Sequence, residues 1–248
     1  MPTQPAPAAP AAPAATATRT ALVAAWAVHV YTAIGAALAM VTVMAAIEGD
    51  TVRALWLGLA AMVVDGTDGA LARQLQVKRL VPWFDGALLD NIVDYLTYAF
   101  TPMVLLWTTG YLGDGALATV LAVVPLLASA YQFCRVDAKT ADHLFLGFPS
   151  YWNVVAFYIV VFDLDVPAVA VLLAVCAVLV FVPVGYVYPS RTVLLRRLTL
   201  GLTALWLVSY AVLLSQVPSP DALWLAVSLA YVVYYVGLSL YLTARRPR

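Results

Sequence analysis

Long uninterrupted apolar runs dominate the pattern of hydrophobic and polar positions along this chain. A helix needs about 20 mostly apolar residues to cross the hydrocarbon core of a bilayer, where backbone groups must bond within their own segment. Eight runs meet or nearly meet that length, and the fifth is the shortest. They cover residues 21–47, 51–73, 86–108, 115–134, 149–163, 166–187, 197–215 and 221–243. The pattern predicts an all-α integral membrane protein with about eight transmembrane helices.

Composition supports the membrane interpretation and excludes one class of partner. The chain is 64% hydrophobic and 10% charged, whereas soluble domains are about 45–50% apolar and about 25% charged. A soluble core cannot hide that much apolar surface, so membrane lipid is predicted as a partner. The formal net charge is zero, which leaves no overall field to attract nucleic acid, and no nucleic-acid partner is predicted.

The first 18 residues differ in composition from the rest of the chain. Residues 1–18 are almost entirely Pro, Ala and Thr, a composition typical of a disordered tail. Residues 19–248 contain all eight apolar runs, so they are predicted to form a single transmembrane catalytic domain.

The basic residues predict the orientation. With a cytoplasmic N-terminus, eight spans place twelve of the 13 Lys and Arg residues on the cytoplasmic side, and Arg53 alone falls outside. Such an asymmetry matches the positive-inside bias, so both termini are predicted to be cytoplasmic. The twelve are Arg19, Arg73, Lys78, Arg79, Arg135, Lys139, Arg191, Arg196, Arg197, Arg245, Arg246 and Arg248.

Four aspartates flank the connection between the second and third runs. Asp65 and Asp68 lie near the end of one run, and Asp90 and Asp94 near the start of the next. Residues three or four apart share a helix face, so each pair forms a stripe, and the short connection lets the stripes face each other. Because a carboxylate at membrane depth costs several kcal/mol, such acids indicate function.

The local charge indicates what this cluster binds. Adding Asp85 gives five negative groups, against the three positive groups of Arg73, Lys78 and Arg79. Two divalent cations would reverse the remaining charge and suit a bound pyrophosphate. Oxygen-only ligands favour Mg²⁺ or Mn²⁺ over zinc. A two-metal phosphate site is therefore predicted; the alternatives are a proton-relay site of a cation-coupled transporter and a purely structural arrangement.

The spacing of these residues resembles a known family. Asp65-x2-Asp68-Gly69-x2-Ala72-Arg73, followed by Gly86-x3-Asp90-x3-Asp94, is similar to the signature of the CDP-alcohol phosphatidyltransferases. The resemblance implies a six-helix core, here with two further C-terminal helices, a homodimer, and a two-metal site at the cytoplasmic surface. It also implies transfer of a phosphatidyl group from a CDP-linked lipid to an alcohol.

One departure from the common pattern narrows the resemblance. Twelve residues, 74–85, separate Arg73 from Gly86, and most family members have a shorter gap. The longer gap is similar to that of bacterial phosphatidylcholine synthases, as are the strings at residues 81–86, 94–98 and 147–153. The implied reaction is attack of the choline hydroxyl on the β-phosphorus of CDP-diacylglycerol with release of CMP, in a bacterial inner membrane. Serine, inositol or glycerol phosphate remain alternative acceptors.

The resemblance also implies roles for individual residues. Asp65, Asp68 and Asp90 would bind one metal ion, while Asp65, Asp90 and Asp94 would bind the second. Asp94 would also be the catalytic base. The CDP-lipid would contact Gly69, Ala72, Arg73, Gly86, His29 and Thr32.

Several predicted contacts have a structural alternative. A lone polar residue in mid-span, such as His29, often bonds a neighbouring helix, although the matching region of the family lies beside the nucleotide lipid. His143 lies in a loop and is interpreted as a solvated residue. Aromatic faces can hold the quaternary ammonium of choline, but aromatic residues near span ends also form interfacial belts. The aromatic candidates for choline are Trp83, Tyr95, Tyr98, Tyr151 and Trp152, with Phe84 beside them.

Overall fold

The computed structural model describes residues 18–246, and these form an all-α multi-pass membrane protein. This confirms the predicted fold class. The helices are α1 (Arg19–Ile47), α2 (Thr51–Gln74), α3 (Val77–Leu80), α4 (Gly86–Asp94), α5 (Thr101–Thr108), α6 (Gly115–Cys134), α7 (Trp152–Val161), α8 (Val166–Phe181), α9 (Arg196–Gln216) and α10 (Ala222–Ala244). A π-helical segment, Tyr95–Phe100, joins α4 to α5.

Five of these helices, α1, α2, α6, α9 and α10, are long and apolar enough to cross a membrane. The run from α4 through α5 is helical throughout, and α7 and α8 are shorter apolar helices. Each of the eight predicted runs therefore corresponds to one helical stretch, while the number of crossings stays a prediction.

The outward faces of the helices are apolar. Val23, Leu223 and Val233 expose 68%, 68% and 72% of their surfaces, and many other large apolar side chains are similarly exposed. In water, apolar surface this extensive would promote association. Lipid removes that penalty, so the exposed faces agree with a membrane protein.

Aspartates in the loops begin several helices. Asp50, Asp85, Asp165 and Asp221 each accept a hydrogen bond from a backbone N–H of the helix that follows, which satisfies donors that have no partner within the helix. Thr18 does the same for α1. The predicted disordered tail otherwise falls on residues 1–17, which lie outside the described residues.

The helix that continues α4 widens into a π-helix before Pro102. A proline inside a helix lacks the N–H for the usual bond and its ring collides with the carbonyl four residues earlier, here that of Tyr98. The wider turn accommodates Pro102 at the start of α5. Such π-helical turns often occur at functional sites.

A two-stranded ribbon interrupts the helical architecture. Strand β1 (Leu144–Leu146) pairs antiparallel with β2 (Gly185–Val187), with Phe145 opposite Tyr186. The predicted sixth run extends to residue 187, but α8 ends at Phe181. Pro183 explains the difference, because it restricts the preceding Val182 to extended backbone, and Val182 has φ −84° and ψ 126°.

Hydroxyl groups of α10 complete the bonding of this ribbon. Backbone N–H groups of Gly185 and Val187 donate to Thr243 Oγ1 (2.8 Å) and Ser239 Oγ (3.0 Å). The Tyr235 hydroxyl donates to the Val187 carbonyl at 3.0 Å. The three side chains are spaced four residues apart, so one stripe of α10 covers β2.

The loop before α7 is held in an unusual backbone conformation. Gly147 has φ +84°, and a Cβ there would lie 2.2 Å from the Val180 carbonyl oxygen. Ser150 also has a left-handed φ of +59°. Trp152 then begins α7 and donates its indole N–H to Ser129 Oγ of α6 at 2.6 Å. These contacts fix the path of the chain on both sides of Tyr151.

Gly147→Ala should lower the midpoint of thermal unfolding in detergent. The added methyl meets the Val180 carbonyl, and left-handed backbone costs a non-glycine residue about 1–2 kcal/mol. In a protein of this size that corresponds to a shift of at least about 2–4 °C.

The control is Gly201→Ala, in α9, where nothing lies within 4 Å of the added Cβ. Alanine favours a helix, so this variant should match or exceed the wild-type midpoint. Equal midpoints for the two variants would contradict the close approach at Gly147.

Candidate metal and substrate site

Four carboxylates converge where α2 meets α4. Asp65 and Asp68 project from α2, and Asp90 and Asp94 from α4, and all four line one small cleft. Thr32 of α1 also borders this cleft. Because α1 packs against both α2 and α4, the cleft lies at the junction of three helices.

Three of the carboxylates are close enough to share one cation. Single oxygen atoms of Asp65, Asp68 and Asp90 all lie within 4.8 Å of one another. Carboxylate oxygens are the ligands preferred by hard cations such as Mg²⁺ and Mn²⁺. Asp94 borders the same cleft, so a fourth carboxylate is available beside the trio. The donor set therefore fits a divalent metal ion.

Each carboxylate of the trio has a partner from a different part of the chain. The Thr32 hydroxyl donates to Asp68 Oδ2 at 2.6 Å, and the Tyr98 hydroxyl donates to Asp65 Oδ2 at 2.5 Å. Lys139 Nζ lies 3.7 Å from Asp90 Oδ2. Such partners orient metal-binding carboxylates, and Lys139 also offsets part of their negative charge.

His29 lies over the first residue of α4. A Cβ on Gly86 would come within 2.8 Å of His29 Cε1, so only glycine leaves room for the imidazole. The ring packs against Trp26 and Phe84, with centroids 5.6 and 4.5 Å away. Its Nε2 atom is buried and lacks a hydrogen-bond partner within residues 18–246. Because buried polar atoms are rarely left unpaired, this nitrogen is a candidate for a further hydrogen bond.

Comparison with curated proteins identifies the family of this chain. A protein of Legionella pneumophila named phosphatidylcholine synthase is 44% identical over 227 residues, 89% of this chain and 89% of that protein. Phosphatidylcholine synthases of Pseudomonas aeruginosa and Borreliella burgdorferi are 38% and 35% identical, over 89% and 90% of this chain and 92% and 95% of their own lengths. No family model matches the chain.

The chain belongs to the phosphatidylcholine synthase family. Relatives that cover nearly the whole chain at this identity share its fold and not merely a short motif. The family resemblance inferred from the sequence is thereby confirmed.

The structure separates the aromatic residues that the sequence grouped together. Tyr98 reaches Asp65, and the Tyr151 ring lies 5.8 Å from the Tyr98 ring. Tyr95 instead donates to the Leu126 carbonyl of α6, and Trp152 is fully buried against Ser129. Trp83 exposes 71% of its surface. Of the predicted choline residues, only Tyr98 and Tyr151 lie beside the acids.

The predicted nucleotide residues of α2 lie at its C-terminal end, next to the cleft. Arg73 is exposed, and its guanidinium would lie 3.3 Å from a Cβ added to Gly69. Ala72 packs towards α1 and α3, beside Ala25 and Val77. Asp85, by contrast, caps α4, because its side chain accepts hydrogen bonds from the backbone N–H groups of Ala87 and Leu88.

Two basic residues follow α6, and they differ in their partners. Arg135 donates twice to Asp137, at 2.8 Å each, and this interaction holds the pKa of the Asp137 carboxyl below its ordinary value. Lys139 reaches Asp90 instead. The nearby His143 has a left-handed φ, and its carbonyl accepts a bond from Thr192, which agrees with a loop role.

Sequence reasoning missed the contribution of α10. Tyr235 lies 6.3 Å from Tyr151, ring centre to ring centre, and therefore connects the last helix to the acidic cleft through Tyr98. The stripe of Tyr235, Ser239 and Thr243 is a signal that could have been read, because polar residues at every fourth position of a membrane helix indicate a buried face.

Asp65→Asn should weaken Mn²⁺ binding to the purified protein by at least about tenfold. Mutation of a residue that only orients a metal ligand lowers metal affinity by about 10–100-fold, and loss of a ligand should cost no less. The amide removes one negative charge from the trio. Isothermal titration calorimetry, or the electron paramagnetic resonance signal of free Mn²⁺, gives the dissociation constant.

Asp85→Asn is the matched control, because asparagine also caps helices well and Asp85 serves α4 as a cap. Its dissociation constant should equal that of the wild type. If Asp65→Asn also bound Mn²⁺ as the wild type does, the trio would not be the metal site.

Proposed function

We propose that this protein is a phosphatidylcholine synthase that transfers the phosphatidyl group of CDP-diacylglycerol to choline and releases CMP. The observation that carries the proposal is the convergence of Asp65, Asp68, Asp90 and Asp94 in one cleft, in a chain whose relatives bear that name over nearly their whole length.

The acids divide into ligands and a base. Asp65, Asp68 and Asp90 would hold a divalent ion, and Asp94 would join Asp65 and Asp90 around a second. Bound Mn²⁺ or Mg²⁺ would neutralise negative charge on the pyrophosphate during transfer. Phosphoryl transfer depends mainly on such positioning and charge neutralisation, which carboxylates and the ions they hold would supply.

The chemical step exchanges one phosphorus–oxygen bond for another. The choline hydroxyl oxygen bonds to the β-phosphorus, the bond from that phosphorus to the CMP oxygen breaks, and the hydroxyl proton passes to Asp94. A positioned carboxylate acts as such a base when it lies within hydrogen-bond reach of the proton. Asp94 borders the same cleft as Asp65 and Asp90, and this position supports it as that base.

The nucleotide lipid would bind along the faces of α1, α2 and α4. Gly69 and Ala72 would admit the cytidine, Arg73 would hold a phosphate, and Gly86 would let the backbone approach. The unpartnered Nε2 of His29 above Gly86 supports His29 as a ligand contact. Thr32 acts through Asp68, whose carboxylate it holds at 2.6 Å.

The basic residues support choline over a phosphorylated acceptor. An acceptor such as glycerol phosphate brings an anion that needs cationic partners. Arg135 is already engaged by Asp137, and Lys139 by Asp90. The tyrosines beside Asp65 instead suit a quaternary ammonium.

The protein would act as a homodimer in the inner membrane of a bacterium, with both termini in the cytoplasm. The distribution of basic residues, with Arg53 alone on the opposite side, supports this orientation. The acidic cleft then faces the compartment that contains choline and CMP.

Purified protein supplied with CDP-diacylglycerol and Mn²⁺ should release CMP faster with choline than with serine, inositol or glycerol phosphate at equal concentration. The Asp65→Asn variant, measured beside it, controls for release by contaminating enzymes. Faster turnover of serine would reject choline as the acceptor, and no release with any alcohol would favour a transport function.

Asp94→Asn should lower kcat by about 10²–10⁴-fold, the range for loss of a positioned base, while CDP-diacylglycerol affinity stays close to that of the wild type. The amide keeps an oxygen ligand but cannot accept the proton. Added Mn²⁺ should not restore the rate. A near-wild-type kcat would remove Asp94 from the base role.

A further inference from the structure

Five tyrosines from four parts of the chain form one aromatic cluster next to the acidic cleft. This tyrosine cluster consists of Tyr98 in the π-helical segment, Tyr151 before α7, Tyr186 in β2, and Tyr231 and Tyr235 in α10. Tyr235 is its centre, with ring centroids 6.3 Å from Tyr151, 6.3 Å from Tyr186 and 6.2 Å from Tyr231.

The cluster starts at a predicted metal ligand. Tyr98 donates to Asp65 at 2.5 Å, and its ring lies 5.8 Å from that of Tyr151. The next ring outward is Tyr235 of α10. A continuous series of aromatic rings thus leads from the carboxylates to the last helix.

The surroundings of these rings distinguish them from an interfacial belt. Belt residues lie at the lipid boundary, whereas Tyr98 and Tyr186 each expose only 7% of their surfaces and the other three are partly buried. These rings therefore pack among protein elements rather than against lipid headgroups.

Three of the five hydroxyl groups of the cluster are hydrogen-bonded within the protein, so the ring faces are the feature that the five residues share. Tyr98 is bonded to Asp65, Tyr235 to the Val187 carbonyl, and Tyr231 to Thr203 at 2.8 Å. A quaternary ammonium carries no N–H and is recognised through aromatic faces within about 6 Å. Serine and ethanolamine carry N–H donors, and an aromatic face does not replace the hydrogen bonds that these donors make with water.

We propose that the tyrosine cluster is the choline pocket and that Tyr235 of α10 forms its outer wall and determines acceptor specificity. This inference rests on the proposed function. It assigns acceptor recognition to a helix that lies outside the six-helix core implied by the family resemblance. Choline held on the rings of Tyr151 and Tyr235 would extend its hydroxyl past Tyr98 towards the acids.

Tyr235→Leu should raise the KM for choline by about tenfold, within the range of a lost cation–aromatic contact, with little change in kcat at saturating choline. Tyr235→Phe keeps the ring and removes only the hydroxyl, so its KM should stay within about twofold of the wild type. Tyr241→Leu, on the same helix but 45% exposed, is the matched control and should leave the KM unchanged.

A neutral analogue separates charge recognition from shape. In 3,3-dimethylbutan-1-ol, carbon replaces the quaternary nitrogen, so the wild type should strongly prefer choline over it. Tyr235→Leu should lose most of that preference, and Tyr235→Phe should keep it. If the leucine variant does not fold, Tyr235→Met, whose flexible unbranched side chain fills irregular gaps, takes its place.

Two outcomes would overturn the inference while the proposed function survives. One is an unchanged choline KM in Tyr235→Leu. The other is an equal rise in the phenylalanine and leucine variants, which would mean that Tyr235 acts only by holding β2 through its hydroxyl. Absence of CMP release from the wild type with choline would instead overturn the proposed function itself.

Discussion

Four carboxylates lie together inside a membrane protein, and the helices around them are arranged so that their charge is compensated. Such groups repel one another and are costly wherever lipid replaces water. Partners from three regions reduce that cost: Thr32 on α1, Tyr98 in the π-helical segment and Lys139 in the loop after α6. Each of these regions must therefore reach the cleft. The helices have to pack in a way that brings these three partners to the carboxylates.

Local departures from regular helix bring the aromatic residues to the acids. Pro102 forces the wide turn that contains Tyr98, while Gly147 and Ser150 adopt left-handed backbone on the approach to Tyr151. The Trp152 indole then fixes that loop to α6. Backbone that is costly in isolation persists where surrounding contacts determine it fully, and it is common at functional sites. Here it turns two tyrosine rings towards the same carboxylates.

The ribbon connects the C-terminal helix to the rest of the site. Three-residue strands are too short to be stable alone, and α10 supplies the missing partners through Tyr235, Ser239 and Thr243. Beyond them, Arg246 donates twice to Asp142, 104 positions away in sequence. An exposed ion pair of this kind adds little stability. It lies at the same end of α10 as Thr243. The stripe on α10 thus sets the distance between Tyr235 and Tyr151.

Local patterns were sufficient to predict the fold class, the positions of the eight helical stretches and the two stripes of aspartates, because apolar length and helical periodicity depend on neighbouring residues. The spacing from Asp65 to Asp94 was enough to indicate a phosphate-transfer family. The aromatic residues that accompany the acids could be identified only from the packing of distant segments. Tyr98 and Tyr151 lie beside the acids, whereas Tyr95 and Trp152 bond to α6 and Trp83 is exposed. The tertiary structure also revealed β1, β2 and the position of Tyr235. These depend on pairings between residues far apart in sequence, which no local pattern of hydrophobic and polar positions can specify.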